Sequence, residues 1–443
     1  MTRKTGGRET SPTEGRLRAS QVGSRLKGSP IAILFMAVLV DMLGFGIVIP
    51  VLPFYALELG ATALEVTLLI ASFSAMQMAA TPIWGRVSDT RGRRPLIIAG
   101  LFASAVSYLI FGLANSLALL LLSRLAAGAA GGTISVAHAY VADTTKAEER
   151  AHGMGLIGAA AGLGVMLGPA VGGFFSTISL AAPGFVAAGL CGLNGIAAIF
   201  LLPESRSKEK RAGERKGQTA TLHGWARTMM AAPLSLVLGV YFLGITSFTA
   251  MTALLALYFE AEFGIGAREM GFMFAIAGGV TVVVRGVALG RLVRRFGEIA
   301  TVRMGAIGLG LSFLLIPLVP GFGWAMAVVP LYAFGAGTMF PALATLTSFA
   351  SDDDSQGSVL GGSQLVGGLG RVAGPLWAGF LFQEIAFDTP FLVAAGLAAI
   401  AVILTVRIPR SLQSRRDAPA AVLDPEPGAE ASIAGNSPQA AAE

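Results

Sequence analysis

Apolar residues fill twelve long runs along the chain, near 31–57, 65–84, 95–114, 117–140, 153–178, 184–202, 234–258, 269–290, 300–319, 324–347, 357–382 and 389–408, and polar stretches separate them. An α-helix of about 20 apolar residues crosses a hydrocarbon layer about 30 Å thick. Any open strand at that depth would leave backbone hydrogen bonds unmade. The pattern predicts an all-α integral membrane protein with twelve transmembrane helices. Longer polar stretches fall in three places: a basic tail over 1–29, a charged linker over 203–232, and a tail over 409–443 expected to be disordered. They leave two six-run halves, 30–202 and 233–408.

Composition supports the same class. Hydrophobic residues make up 54% of the 443 and charged residues 13%, against roughly 45–50% and about 25% in soluble domains. Mean hydropathy is +0.70. The tail 1–29 lacks an apolar core followed by a small-residue cleavage site, so the first run is expected to stay as an anchor. Cys191 is the single cysteine, which excludes an internal disulfide, and the three histidines are scattered without metal-ligand spacing. No phosphate-binding G-x4-G-K-[ST] loop occurs, so neither a cofactor, a metal nor ATP drive is expected.

The basic residues orient the runs. With the N-terminus inside, 28 of the 32 Lys and Arg fall on inner segments, one (Arg268) on an outer loop, and three (Arg124, Arg285, Arg371) within runs. Lys and Arg gather on the cytoplasmic side of membrane proteins. Both termini are therefore expected in the cytoplasm, with the chain in the cell (inner or plasma) membrane. The pI of 9.7 then needs no nucleic-acid partner.

A repeat underlies the twelve runs. "GVMLGPAVGG" at 164–173 and "GRVAGPLWAG" at 370–379 share G-x3-G-P at an offset of 206, and "GRVSDTRG" at 85–92 matches "GRLVRRFG" at 290–297 at an offset of 205. Six spans return the chain to its starting side. The halves are therefore parallel repeats, expected to surround a central cavity.

Three places concentrate chemistry. "GRVSDTRGRRPLI" at 85–97 collects five charges in an oily chain. Gly85 and Gly92 permit a tight turn. Asp89 can face a helix N-terminus of the other half, and one of the cluster's arginines, Arg86, Arg91, Arg93 or Arg94, can pair with Asp143 at the end of the fourth helix. The cluster then reads as a latch between two conformations; the alternative is a plain positive-inside anchor. Arg294 stands where the second copy would have its acid, so a second latch is expected to be incomplete. In the first run, Asp41 is the one acid placed deep within a span, where a carboxyl is costly and usually functional. Arg124 in the fourth run needs a partner, and Asp41 is the available acid. A proton reaching Asp41 would weaken that pair. The alternatives are a structural ion pair, or an arginine bonded to backbone carbonyls. In the fifth run, Gly164, Gly168, Pro169, Gly172 and Gly173 read as a close-packed, bent hinge and seal, or as ordinary membrane packing. Phe45, Gln77, Tyr241, Phe248, Tyr332, Gln364 and Arg371 are candidates to line the cavity.

Together these motifs resemble the major facilitator superfamily, and within it the twelve-helix drug:proton antiporters that include tetracycline efflux pumps. The resemblance spans about 31–408. The loop 85–94 is similar to the family's G-x-L-x-D-R-x-G-R-[KR], with Val87 for Leu and Thr90 for the first Arg. Arg124 and Gly128 fit its fourth-helix pattern, and 164–173 resembles its antiporter motif G-x3-G-P-x2-G-G, which accompanies export in that family. The resemblance implies a monomeric, proton-coupled exporter of a small amphipathic compound working by alternating access. A metabolite or sugar exporter is the alternative. The absence of a soluble domain argues against a receptor, and the absence of a nucleophile–base cluster argues against an enzyme.

Overall fold

A computed structural model describes residues 30–205, 229–351 and 356–414. The tail 1–29, most of the linker 203–232, and the last tail beyond residue 414 lie outside the described residues. Twelve described helices are long and apolar enough to cross a membrane, and among the described residues there is no strand. They are α1 Pro30–Val48, α2 Ala63–Arg91, α3 Arg93–Gly112, α4 Leu117–Thr144, α5 Ala147–Phe175, α6 Ala182–Leu201, α7 Leu234–Phe263, α8 Ala267–Phe296, α9 Glu298–Leu318, α10 Phe322–Phe349, α11 Gln356–Glu384 and α12 Thr389–Val406.

Local chemistry sets the ends. Thr62 and Glu65 form a capping box at the start of α2: Thr62 Oγ1 accepts from the Glu65 N–H at 3.3 Å, and Glu65 accepts from the Thr62 N–H at 2.7 Å. Ser116 caps α4. Gly264, with φ +64°, ends α7 in the left-handed conformation.

The duplication is visible in the backbone. Gly92 and Gly297 carry φ of +103° and +81°, at the repeat offset of 205, and Gly60 and Gly264 carry +84° and +64° at an offset one residue shorter. Helix partners repeat too: α1 packs along α5 and α6 as α7 packs along α11 and α12, and α3 against α4 and α6 as α9 against α10 and α12.

Four runs differ from plain spans. The first breaks after Val48, near Pro50, and resumes as a short helix Leu52–Glu58. The fourth is two helices, Leu117–Ala130 and Thr133–Thr144, interrupted at Gly131–Gly132. In α8 the Leu289 N–H bonds back to the Val284 carbonyl, five residues earlier, which makes a π-helical turn over Val284–Ala288. The turn expected from Gly85 is corrected: α2 continues helically through Arg91 and the chain turns at Gly92. Gly85 can stay helical, whereas a φ of +103° is open to glycine and to little else.

The halves meet along two seams, α2 with α11 and α5 with α8. Contact lies toward the face opposite the described chain ends. Leu64 N–H donates to Gln383 Oε1 at 3.1 Å, Gly379 faces Thr67, and Met78 packs on Gly368. On the second seam a Cβ on Gly173 would lie 2.9 Å from Gly271 Cα, and Met166 packs on Gly278. Further toward the face where the described chain begins and ends, Gly155 and Gly162 on α5 and Gly85 and Gly361 on the other seam meet nothing within 4 Å among the described residues.

Candidate functional site

Asp41 and Arg124 are both buried, each 3% exposed. They do not form the direct pair expected of them. No ion pair joins them among the described residues, whereas Arg93 pairs with both Asp89 and Asp143. The Arg124 guanidinium lies 5.0 Å over the Phe111 ring. Its Nε donates to Ser123 Oγ at 3.3 Å, and its Nη2 has no hydrogen-bond partner. Tyr108 is electrostatically coupled to both. Its ring closes on Gly44, where a Cβ would come within 2.9 Å. On α3, Phe111 takes the face of the guanidinium while Tyr108 closes on Gly44, one turn along α1 from the acid.

The interruption of α4 is held from α2. Carbonyls near a helix break lose their regular partners. Trp84 Nε1 donates to the Ala129 carbonyl at 2.6 Å, and Gln77 Nε2 to that of Gly131 at 3.4 Å. A Cβ on Gly132 would run into the Trp84 ring. Thr133, the first residue of the second piece, donates to the Ala130 carbonyl at 3.3 Å. Gln77 is thus a backbone cap in this conformation, not a free cavity group.

The charged cluster is built around Arg93, which is 7% exposed. Its Nε meets Asp143 Oδ2 at 2.9 Å, and its Nη1 meets Asp89 Oδ1 at 2.7 Å and Ser88 Oγ at 2.5 Å. Its backbone N–H donates to Glu204. Arg94 turns away and donates to the Ile199 carbonyl. One guanidinium therefore ties the ends of α2, α3 and α4 together at the end of the N-terminal half, and Tyr140 reaches the Pro203 carbonyl beside it.

The glycine motif of α5 faces mostly inward to its own half. A Cβ on Gly168 would lie 2.5 Å from Gly46 Cα, one on Gly164 2.6 Å from the Leu39 carbonyl, and one on Gly172 would strike the Ile47 carbonyl. All three lean on α1; Gly173 alone of the motif glycines meets α8 across the seam. Pro169 lies within α5 without ending it. In the other half, Phe248 stacks on Tyr332 at 5.3 Å between centroids, Phe340 meets Phe248 and Tyr241 edge-on, and Thr252 shares a 2.6 Å hydrogen bond with the Tyr332 hydroxyl. Phe45 stacks on Phe73 in the N-terminal half, so the aromatic candidates form two groups. At 100° per residue, Gln364 and Arg371 fall on one arc of α11, between the side facing α7 at Gly367 and Gly370 and the side facing α2 at Gly368. Gln364 is exposed and Arg371 half-buried on that interior arc.

The family model described as Major Facilitator Superfamily matches residues 34–375. This chain belongs to that superfamily. Within it, the class D tetracycline resistance protein of Salmonella ordonez is 31% identical over 86% of this chain and 98% of its own. Multidrug resistance protein 1 of Bacillus subtilis (strain 168) is 32% identical over 86% and 96%. The crystal structure of the human organic anion transporter MFSD10 (TETRAN) superposes with a TM-score of 0.65 at 26% identity, covering 85% of this chain and 98% of that one. The chain is thus a multi-pass membrane transporter, not an enzyme.

For this major facilitator protein, sequence reasoning passed over Tyr108, Phe111 and Trp84. A serine or threonine in a membrane helix satisfies itself on a carbonyl one turn back, as Ser107, Ser123 and Thr249 do here. Trp84 and Gln77 instead reach carbonyls of another helix, which periodicity along the chain does not reveal. The Gly131–Gly132 pair was the available signal for the break, and it is submerged among 58 glycines.

Proposed function

We propose that this protein exports a small amphipathic compound, of the kind against which its relatives are named as resistance proteins, in exchange for protons. It works by alternating access between its two halves, as a monomer in the cell membrane with both termini cytoplasmic. The observation that carries the reading is Asp41: a carboxyl buried mid-helix and not locked in an ion pair with Arg124 can take up and give back a proton as its surroundings change. The cluster around Arg93, with Asp89 paired to it, serves as the latch at the cytoplasmic end. The α5 glycines carry the hinge. The aromatic groups of α7 and α10, with Gln364 and Arg371 on the interior arc of α11, supply the wall that cargo meets.

The test is transport in everted membrane vesicles of an efflux-deficient strain, with a compound panel that includes tetracycline. Proton-driven uptake of at least one amphipathic compound, collapsed by a protonophore and lost in Asp41→Asn, is expected. Uptake that ignores the protonophore, or that survives in Asp41→Asn, would refute the proton-coupled reading. Uptake confined to sugars or polar metabolites would replace the cargo class.

A further inference from the structure

We infer that Arg371 is the anchor for cargo, and that it selects amphipathic compounds bearing an anionic group, a carboxylate or a sulfonate, on a flat aromatic body. The inference deepens the exporter reading above and rests on it.

Arg371 stands midway along the 29 residues of α11. A guanidinium at that depth in a membrane is costly, and it persists where it faces a partner or a water-filled cavity. Arg371 has no ion pair and no hydrogen bond among the described residues. The described acids of the C-terminal half lie at or near helix ends instead: Glu260 and Glu262 on α7, Glu269 on α8, Glu298 on α9, Glu384 on α11, and Asp388 before α12. The half therefore presents an uncompensated cation at mid-helix.

Rotation sets where that cation points. The exposed Leu365, Leu369 and Phe380 mark the lipid side of α11, and at 100° per residue Arg371 lies roughly 120–180° away from them. Gly367 and Gly370, packed on α7, and Gly368, packed on α2, flank it. Two and three turns further along the same arc, Ala378 and Phe382 are buried, whereas Gln364 and Leu360, as far in the other direction, are exposed. The arc is closed beyond Arg371 and open toward the face where the described chain begins and ends.

A row of rings adjoins the cation. The Tyr241 hydroxyl lies against Gly367, one turn from Arg371, where a Cβ would stand 2.6 Å from it. From Tyr241 the rings run to Phe340 at 6.2 Å, then Phe248 at 5.4 Å, then Tyr332 at 5.3 Å between centroids. Thr249, next to Phe248, donates to the Gly370 carbonyl at 3.3 Å, which ties α7 to the residue before Arg371. The planar fork of an arginine matches a pair of anionic oxygens, and ring faces and edges accept a flat ring. Gln364, on the same arc, offers amide donors to further oxygens. A cation beside a row of rings fits an anionic head on an aromatic body. A cationic compound would meet Arg371 as a like charge.

The test is export by the full chain in everted vesicles of two matched pairs: 9-anthracenecarboxylate with 9-anthracenecarboxamide, and 1-anilinonaphthalene-8-sulfonate with N-phenyl-1-naphthylamine. Ethidium serves as the cationic comparison. The anionic member of each pair is expected to half-saturate export at a concentration lower by about tenfold or more, which is about 1.4 kcal/mol. Arg371→Gln is expected to raise the anion's half-saturation concentration to that of its neutral partner, and Arg371→Lys is expected to keep part of the preference. If Arg371→Gln fails to fold, Arg371→Met, with a long apolar side chain suited to a membrane helix, carries the measurement. Equal half-saturation within the pairs, a preference for the neutral members, or an equal rise for both members in the variant overturns the inference. Proton-driven export of ethidium and of neither anion also overturns it, while leaving the exporter reading in place. No proton-driven export of any of the five compounds overturns both.

Discussion

Asp41 and Arg124 share one buried layer of the N-terminal half without touching, with Tyr108 coupled to both. Breaking a direct buried ion pair by removing one partner costs about 3–5 kcal/mol, and contacting residues couple by about 0.5–3 kcal/mol. Here the coupling should be smaller. In a double-mutant cycle of Asp41→Asn and Arg124→Gln, read by thermal unfolding in detergent, we expect an interaction energy under about 0.5 kcal/mol, as for separated sites. A value of several kcal/mol would mean that the two pair directly.

Asp89→Asn should impair transport far more than Arg86→Gln, although both change one charge in the same segment. Membrane topology follows Lys and Arg and largely ignores Asp, so an anchor would feel the arginine at least as much. Asp89 instead meets the buried Arg93 at 2.7 Å. Its loss is expected to slow turnover and shift the two-state balance toward the inward-open form without lowering the amount in the membrane. Cysteine accessibility from each side in a Cys191→Ser background reads the shift; equal accessibility and equal transport would reduce the segment to an anchor.

Gly168→Leu and Gly172→Leu should lose transport and stability, because a side chain at either site meets the α1 backbone at Gly46 or Ile47. Overpacking of this kind costs about 1–3 kcal/mol or more. Gly162→Leu, on the same helix, meets open space and should stay folded. A Gly162 variant as unstable as the other two would mean that the substitutions act through helix propensity and not through close approach.

Trp84→Phe keeps the ring against Gly132 and removes the donor to the Ala129 carbonyl. A hydrogen bond nets about 0.5–1.5 kcal/mol, so the thermal midpoint should fall by a few degrees and the maximal transport rate should fall with it. A normal midpoint together with a normal rate would show that the interruption of α4 does not depend on its clamp.

Much of this architecture can be read from the chain. The twelve spans follow from run length, and the two parallel halves follow from motifs that return at 205 and 206. The pairing of Arg93 with Asp143 lies within the range that the motif allowed. Hydropathy, however, reports what each helix is made of and not how one helix is rotated against the next. That Trp84 and Gln77 look at the break in α4, and that three glycines of α5 look at α1 and one at α8, are facts of rotation. The cluster was misread in a related way: glycine is able to turn, but only Gly92 is placed where the chain must.

The glycine contact between α1 and α5 also has a mechanical meaning. With Gly46 pressed on Gly168 and Ile47 on Gly172, no side chain lies between the two backbones to act as a cushion. The two helices therefore move as one body about the α5 hinge, and Gly173 at the far end rests on α8. A tilt begun at the carboxyl cannot be absorbed by side-chain repacking along the way and arrives at the opposite half as leverage.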